Sequence, residues 1–317
     1  MRLTSQQTEQ FWKDGYLVVE SVLEDDDIDP VIEECSEWID GRARALHAAG
    51  KLSQMYGDEP FERRLASITV YNPEIYDDLD IDHMRGRATF EFLRNDHLMD
   101  VVEGILGPEI TCNPIQHVRA KLSVTLRSPP QQQTTGERDI NQRVSENVAP
   151  LHQDAQVHLE EADSTFILTV WLPMCDSTPD NGCLEVFPRV HEEETVYWSP
   201  GFGVADEHMD GRQAVALPVR KGSVILMHKL TPHRSGPNTT DGIRWSMDLR
   251  YQKTGTPTGR SFYPDFITRS HATPESVYDD YEEWARQWEA ALAQYPPCGR
   301  PGRAVRHDTP TVVSIEP

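Results

Sequence analysis

Polar and apolar positions change their rhythm near residue 110. Before it, apolar residues recur at three- and four-residue steps, the period of an amphipathic helix. Residues 4–14 are the first such stretch, with Thr4 or Ser5 placed to cap its N-terminus, Glu9 in its opening turns and Gly15 ending it. Tyr16-Leu17-Val18-Val19 then reads as a short strand. The acidic run at 25–29 opens a second helix, because carboxylates stabilise the positive N-terminal end of a helix. Ile32, Cys35 and Ile39 continue it at helical spacing. Residues 87–106 predict a further helix closed by Gly107-Pro108.

After residue 110 the segments 115–126, 165–172, 183–187, 214–219, 223–228 and 243–251 are short and rich in Val, Ile, Leu, Thr and aromatics. Asn181-Gly182 between two of them is a hairpin signal. Many short strands joined by turns predict an antiparallel sandwich or barrel, of which the cupin-like jelly roll is one member. Residues 127–149 are polar and aperiodic. A loop of that length in a compact domain suits a lid over a site, and it ends just before His152. Residues 274–293 predict a last amphipathic helix, with Val277, Tyr281, Trp284, Trp288 and Leu292 on its core face. Residues 1–295 thus read as a single domain, and 296–317, rich in Pro, Gly and Arg, as a loosely ordered tail.

Composition narrows the function. The formal charge is −22 over 317 residues, with carboxylates clustered at 25–29, 192–194 and 279–283. Such a surface repels phosphate backbones and argues against nucleic-acid binding. The five cysteines are scattered and form no CxxC pair, which suits reduced thiols better than a disulfide framework or a zinc site. The N-terminus has no apolar signal core and no stretch is long enough to span a bilayer. A cytoplasmic monomer or homodimer acting on a small-molecule substrate is the expectation.

The candidate chemistry starts at Leu151-His152-Gln153-Asp154. On an extended strand, residues two apart share a side, so His152 and Asp154 can face one metal ion. With a second histidine they form a two-histidine, one-carboxylate face that leaves positions open for a co-substrate and O2. The motif alone is weak in a chain with 12 histidines: His208-Met209-Asp210 has the same spacing, and His158-Leu159-Glu160 and His191-Glu192-Glu193 offer HxE versions. Context separates them. His233 follows Asp154 by 79 residues, enough for several strands, and Arg244 lies 11 residues beyond it at the head of the next apparent strand. 2-Oxoglutarate chelates Fe(II) through its C1 carboxylate and C2 keto oxygen, and its far carboxylate needs a planar, permanently charged fork such as Arg244. Ser235, two residues after His233, can add a hydrogen bond. Lys121 or Arg119 is a further candidate to face the co-substrate. His228 and His191 read as core or supporting residues.

These residues resemble the phytanoyl-CoA dioxygenase family. The HxD…H…R pattern falls on His152, Asp154, His233 and Arg244. Val170-Trp171-Leu172-Pro173 followed by Asp180-Asn181-Gly182-Cys183-Leu184-Glu185-Val186-Phe187-Pro188 matches the family's central block, and Phe11-Trp12-Lys13-Asp14-Gly15-Tyr16-Leu17-Val18-Val19 its opening. The resemblance runs from near residue 5 to about residue 251. It implies a mainly β fold, a double-stranded β-helix core with flanking helices. It also implies Fe(II), O2 and 2-oxoglutarate, with Trp171 and Ser235 near the co-substrate. The chain departs from the family pattern at Pro188-Arg189-Val190-His191 and in the long segment 127–149, so a fatty acyl-CoA substrate is not implied. The expected activity is hydroxylation, or another oxidation, of a C–H bond in a metabolite or natural-product intermediate. Asp154 favours this over halogenation, which needs a vacancy where the carboxylate stands. Arg138 and Arg143 in the lid could meet an anionic substrate. The rival readings are a cupin-like metalloenzyme that uses no 2-oxoglutarate and a non-catalytic binding protein of the same fold.

Overall fold

The computed structural model describes residues 1–81, 83–126, 149–199, 202–297, 300–303 and 310–315. The expected lid at 127–149, with Arg138 and Arg143, lies outside the described residues except for Ala149.

The N-terminal part is helical. Helix α1 (Ser5–Asp14) is capped by Thr4, whose side chain accepts from Gln7 N while the Gln7 side chain accepts from Thr4 N. Gly15, at φ 79°, ends it, and strand β1 (Tyr16–Val19) follows at once. Helix α2 (Asp25–Ala48) begins at the acidic run and buries Ile28, Val31, Cys35, Ile39, Ala43 and Leu46 along one stripe. Helix α3 (Phe61–Tyr71) was not anticipated from periodicity. The single helix expected over 87–106 is two helices, α4 (Arg87–Leu93) and α5 (Asp96–Leu106). Asn95 divides them, because its side chain accepts from Leu98 N and starts a new helix there.

The β region holds β2 (Glu109–Cys112), β3 (His117–Lys121), β4 (Ile167–Pro173), β5 (Leu184–Val186), β6 (Thr195–Val196), β7 (Val215–Leu217), β8 (Val224–His228), β9 (His233–Ser235), β10 (Arg244–Lys253) and β11 (Phe266–Ser270). One sheet runs β1-β8-β4-β10-β2-β11, with β3 also paired to β10, and a smaller one runs β7-β5-β9. The pairings are antiparallel, as in the jelly roll expected. The last helix, α6 (Tyr281–Gln294), starts later than its pattern suggests. Asp280 caps it through Glu283 N, which leaves Val277 ahead of the helix. Within the tail expected to be loose, β12 (Thr311–Val312) pairs with β6 and Val313 is buried.

Asn181-Gly182 does not close a hairpin. The strands on either side, β4 and β5, belong to different sheets, so this turn carries the chain across the sandwich. Gly182 is required there by its φ of 82° and by crowding: a Cβ would sit 2.3 Å from Gly236 O and 2.6 Å from Lys121 Cε.

Strand β10 shows how the sheet is built. Trp245, Met247, Leu249 and Tyr251 alternate with Arg244, Ser246, Asp248 and Arg250. The apolar set joins Val118, Ala120, Leu168, Val170, Leu172, Val224 and Leu226 in the core shared with the helices. Each fully buried side chain of this size contributes about 1.5–3 kcal/mol. The polar set faces the smaller sheet. Between the two sheets, Trp171, Leu184, Val186, Leu217, Val219, Ile225 and Met227 form a second, smaller apolar cluster. The inside of the sandwich is therefore part apolar floor and part charged wall.

Candidate active site

His152 and His233 meet as an antiparallel bridge, His152 N to His233 O at 3.0 Å and His233 N to His152 O at 2.9 Å. The extended strand expected through His152 and Asp154 stops at this one bridge, and Asp154 opens a short 3-10 turn that runs to Val157. Gln153, between them, is buried on the opposite side. Its side chain donates to Thr195 O and Leu230 O and accepts from Tyr197 N, which fixes the turn. Each of His152, Asp154 and His233 offers a donor atom within 4.8 Å of the others.

The surroundings settle which atoms face inward. His152 Nδ1 lies 2.8 Å from Pro150 O and His233 Nδ1 lies 3.0 Å from Thr231 O. A ring nitrogen beside a carbonyl carries a proton, so Nε2 of each ring is the nitrogen that can offer a lone pair to a metal. Burial, and then His233 nearby, pushes the His152 pKa down to about 4. Burial alone would raise the Asp154 pKa. Arg250, then His233 and His152, outweigh it and hold Asp154 well below the usual carboxylate range. Arg250 Nη2 donates to Asp154 Oδ1 at 2.6 Å, and Thr169 Oγ1 donates to Oδ2. Two imidazoles with Nε2 turned inward and one ionised carboxylate form a donor set that suits a divalent transition metal with open positions.

The three residues line a cavity of about 280 Å³. Across it stand Arg244, Ser235, Lys121 and Trp171. Arg244 heads β10 opposite Lys121 on β3, so two cations lie side by side. Arg244 Nη1 donates to Ser246 Oγ at 2.7 Å and the guanidinium lies 5.1 Å from the Trp171 ring centre. Its Nε is buried with no hydrogen-bond partner among the described residues. Burial, opposed by weaker attractions, lowers its pKa to about 10. Lys121 Nζ donates to Ser235 Oγ at 2.8 Å, and burial, then Arg244, pushes its pKa down to about 7. Two crowded cations and a hydroxyl at one end of the cavity fit a carboxylate of 2-oxoglutarate, which would relieve both their desolvation and their repulsion.

The rival histidine motifs do not converge here. His208 lies against Tyr197, with ring centres 4.8 Å apart, on a separate 3-10 turn. His158 is buried outside the donor group, and Glu160 opens another short turn. His191 holds Trp12 O at 2.9 Å through Nε2, and His228 accepts from Leu230 N, so both tie α1 and β8 into the fold. Arg119 lines the cavity but pairs with Asp80 at 3.4 Å. Arg250, Thr169, Asp248 and His117 escaped the sequence reading. Period-two alternation from Arg244 reaches Ser246, Asp248 and Arg250 and was the available signal.

The sequence profile of the phytanoyl-CoA dioxygenase family matches residues 11–246. A probable phytanoyl-CoA dioxygenase of Caenorhabditis elegans is 26% identical over 171 residues, which is 51% of this chain and 50% of that protein. The peroxisomal phytanoyl-CoA dioxygenase of Rattus norvegicus is 24% identical over 263 residues, covering 78% of this chain and 68% of its own length. Among solved structures, the apo form of a non-heme monooxygenase, ThoJ, matches with a TM-score of 0.58 at 18% identity, over 91% of this chain and 98% of that one. That last likeness is one of fold.

Proposed function

The chain belongs to the phytanoyl-CoA dioxygenase family, whose members are Fe(II)- and 2-oxoglutarate-dependent oxygenases, and from that premise we propose that it hydroxylates an unactivated C–H bond of a small-molecule metabolite. His152, Asp154 and His233 would hold the iron, and Arg244, Ser235 and Lys121 the far carboxylate of the co-substrate, with Trp171 as a wall. The observation that carries this reading is the buried, under-partnered Arg244 guanidinium in the same cavity as the three donor residues.

Iron with 2-oxoglutarate, when bound, supplies the oxidising chemistry, in which O2 consumption is coupled to conversion of the keto acid to succinate and CO2. The protein's part is geometry and charge. The backbone carbonyls of Pro150 and Thr231 hold the Nδ1 protons and so orient both imidazoles. Arg250 keeps Asp154 ionised while Thr169 orients it. Arg244 lies over Trp171 and is fastened to Ser246, so a carboxylate meets a preset fork. The apolar cluster between the sheets keeps water from one side of the site. Asp154 occupies the position a halogenase leaves vacant, which favours hydroxylation, desaturation or ring formation over halogenation.

The test is an anaerobic titration with Fe(II) and 2-oxoglutarate. A visible charge-transfer band from the chelate is expected in the wild type. Arg244→Ala should raise the 2-oxoglutarate KM by on the order of 100-fold, the loss of a buried charged partner. A wild type that forms no chelate would favour a metalloenzyme that uses no keto acid, and succinate release indifferent to Arg244 would remove Arg244 from the co-substrate.

A further inference from the structure

We propose that Asp248 selects the substrate, and that the substrate carries a protonated amine which docks on this carboxylate. The inference rests on the cavity being the oxygenase site and adds the chemical class of what enters it.

Asp248 is on the cavity face of β10, in register with Trp171 on β4 and His117 on β3. Its side chain is 18% exposed. Oδ1 is buried on the side of Arg250 without a hydrogen-bond donor among the described residues, so the oxygen that reaches the cavity is Oδ2, which takes no hydrogen bond among them either. The cation facing it, Arg250, stands 3.7 Å away and gives its short contact, 2.6 Å, to Asp154. The neighbouring basic groups are also committed. His117 Nδ1 lies 2.8 Å from Asp80 Oδ2 and Arg119 Nη1 lies 3.4 Å from the same oxygen. Asp80 further accepts from Val118 N, so it holds that wall of the cavity in place. Among the described residues the other charges of the site are matched more closely: Asp154 has Arg250 at 2.6 Å, and Arg244 and Lys121 would have the co-substrate carboxylate. Asp248, with Arg250 only at 3.7 Å, keeps Oδ2 without a donor for whatever occupies the remaining space.

Once a ligand fills the cavity and displaces water from Oδ2, leaving that oxygen without a donor is costly, and a ligand that brings an N–H or O–H avoids that cost. An ammonium group brings a charge as well, which makes the pairing stronger than one with a hydroxyl. A substrate carboxylate would meet repulsion at the same oxygen. At the mouth, Phe202 is half exposed, and its ring centre is 5.4 Å from that of His152. It offers an apolar face to the carbon skeleton that carries the amine.

Three size-matched probes test this: benzylamine, benzyl alcohol and benzoate, each titrated anaerobically into wild-type protein loaded with Fe(II) and 2-oxoglutarate. Binding is read as a shift of the chelate band. Benzylamine is expected to bind at least tenfold tighter than benzyl alcohol, with benzoate weakest. Asp248→Asn should bring amine and alcohol within about twofold of each other. Phe202→Ala should weaken both by the same factor. An amine that binds no better than the alcohol, or not at all, overturns the proposal, as does an Asn variant that keeps the preference. The wild-type ranking decides even if the Asn variant fails to fold. Absence of the chelate band would instead overturn the oxygenase reading, on which this one rests.

Discussion

Replacing Arg250 by Met removes the guanidinium that holds Asp154 and leaves the rest of β10 in place. Both side chains are nearly inaccessible, at 3% and 1% exposure, so solvent cannot stand in for the lost partner. Breaking a buried pair from one side costs about 3–5 kcal/mol. At roughly 2 °C per kcal/mol for a chain of this size, the metal-free protein should melt about 6–10 °C lower. The charge term has a pH signature. In the wild type the Asp154 pKa is depressed, so its stabilisation is complete above the ordinary value of 3.8 and is lost only as pH falls through the lower folded value. In Arg250→Met the burial of Asp154 is no longer opposed by its strongest partner, and its pKa rises. The stability gap between the two proteins should therefore be widest toward neutrality and narrow as pH falls from the raised pKa of the variant toward the lower wild-type value, by about 1.4 kcal/mol for each unit that separates the two. Thermal melts of both apo proteins from pH 8 down into acid, below the ordinary carboxylate range, followed by circular dichroism, read this directly. A gap that stays constant with pH would assign the loss to packing and refute the electrostatic account. A melting temperature within about 1 °C of wild type would refute the pairing itself.

Other outcomes follow from single contacts. Gly182→Ala places a methyl against Gly236 O and Lys121 in a left-handed backbone, so it should cost on the order of 2 kcal/mol and raise the 2-oxoglutarate KM by displacing Lys121; an unchanged KM would detach Lys121 from the co-substrate. Because burial and Arg244 push the Lys121 pKa down to about 7, the free enzyme is partly deprotonated at pH 8. The incoming carboxylate should restore the proton, giving proton uptake on 2-oxoglutarate binding. Calorimetry in buffers of different ionisation enthalpy measures it, and Lys121→Met should abolish it. With burial holding the His152 pKa near 4, the His152 ring signals of the metal-free protein should be flat from pH 6 to 8 and shift as pH drops through about 4 in an NMR titration. A midpoint for that ring at the ordinary 6.5 would contradict the buried environment described for it.

Local pattern carried much of this protein. Thr4 to Gly15 spells a capped helix and its stop, and the alternating residues of 243–251 spell a two-faced strand, because both depend on neighbours a few positions away. That His152, Asp154, His233, Ser235 and Arg244 converge on one cavity was also legible from their spacing along the chain, although Asp154 sits on a 3-10 turn and not on the expected strand. The division of 87–106 by Asn95 was legible in principle, from a capping residue that the apolar rhythm masked. Other features depend on pairings across long stretches of chain. Arg250 reaches Asp154 only because β10 pairs with β4, and Lys121 reaches Ser235 only because β3 pairs with the head of β10. A slip of one residue in either register would turn those side chains to the opposite face. The Asn181-Gly182 turn reads locally as a hairpin and acts as a crossing between sheets, because which strands pair is decided by closure of the whole sandwich. The chain alone determined most of the element pattern, though not α3 or the break at Asn95, and the spacing of the three donor residues. Only the tertiary structure decided how each charge is partnered, and that left the Asp248 carboxylate without a hydrogen-bond donor among the described residues.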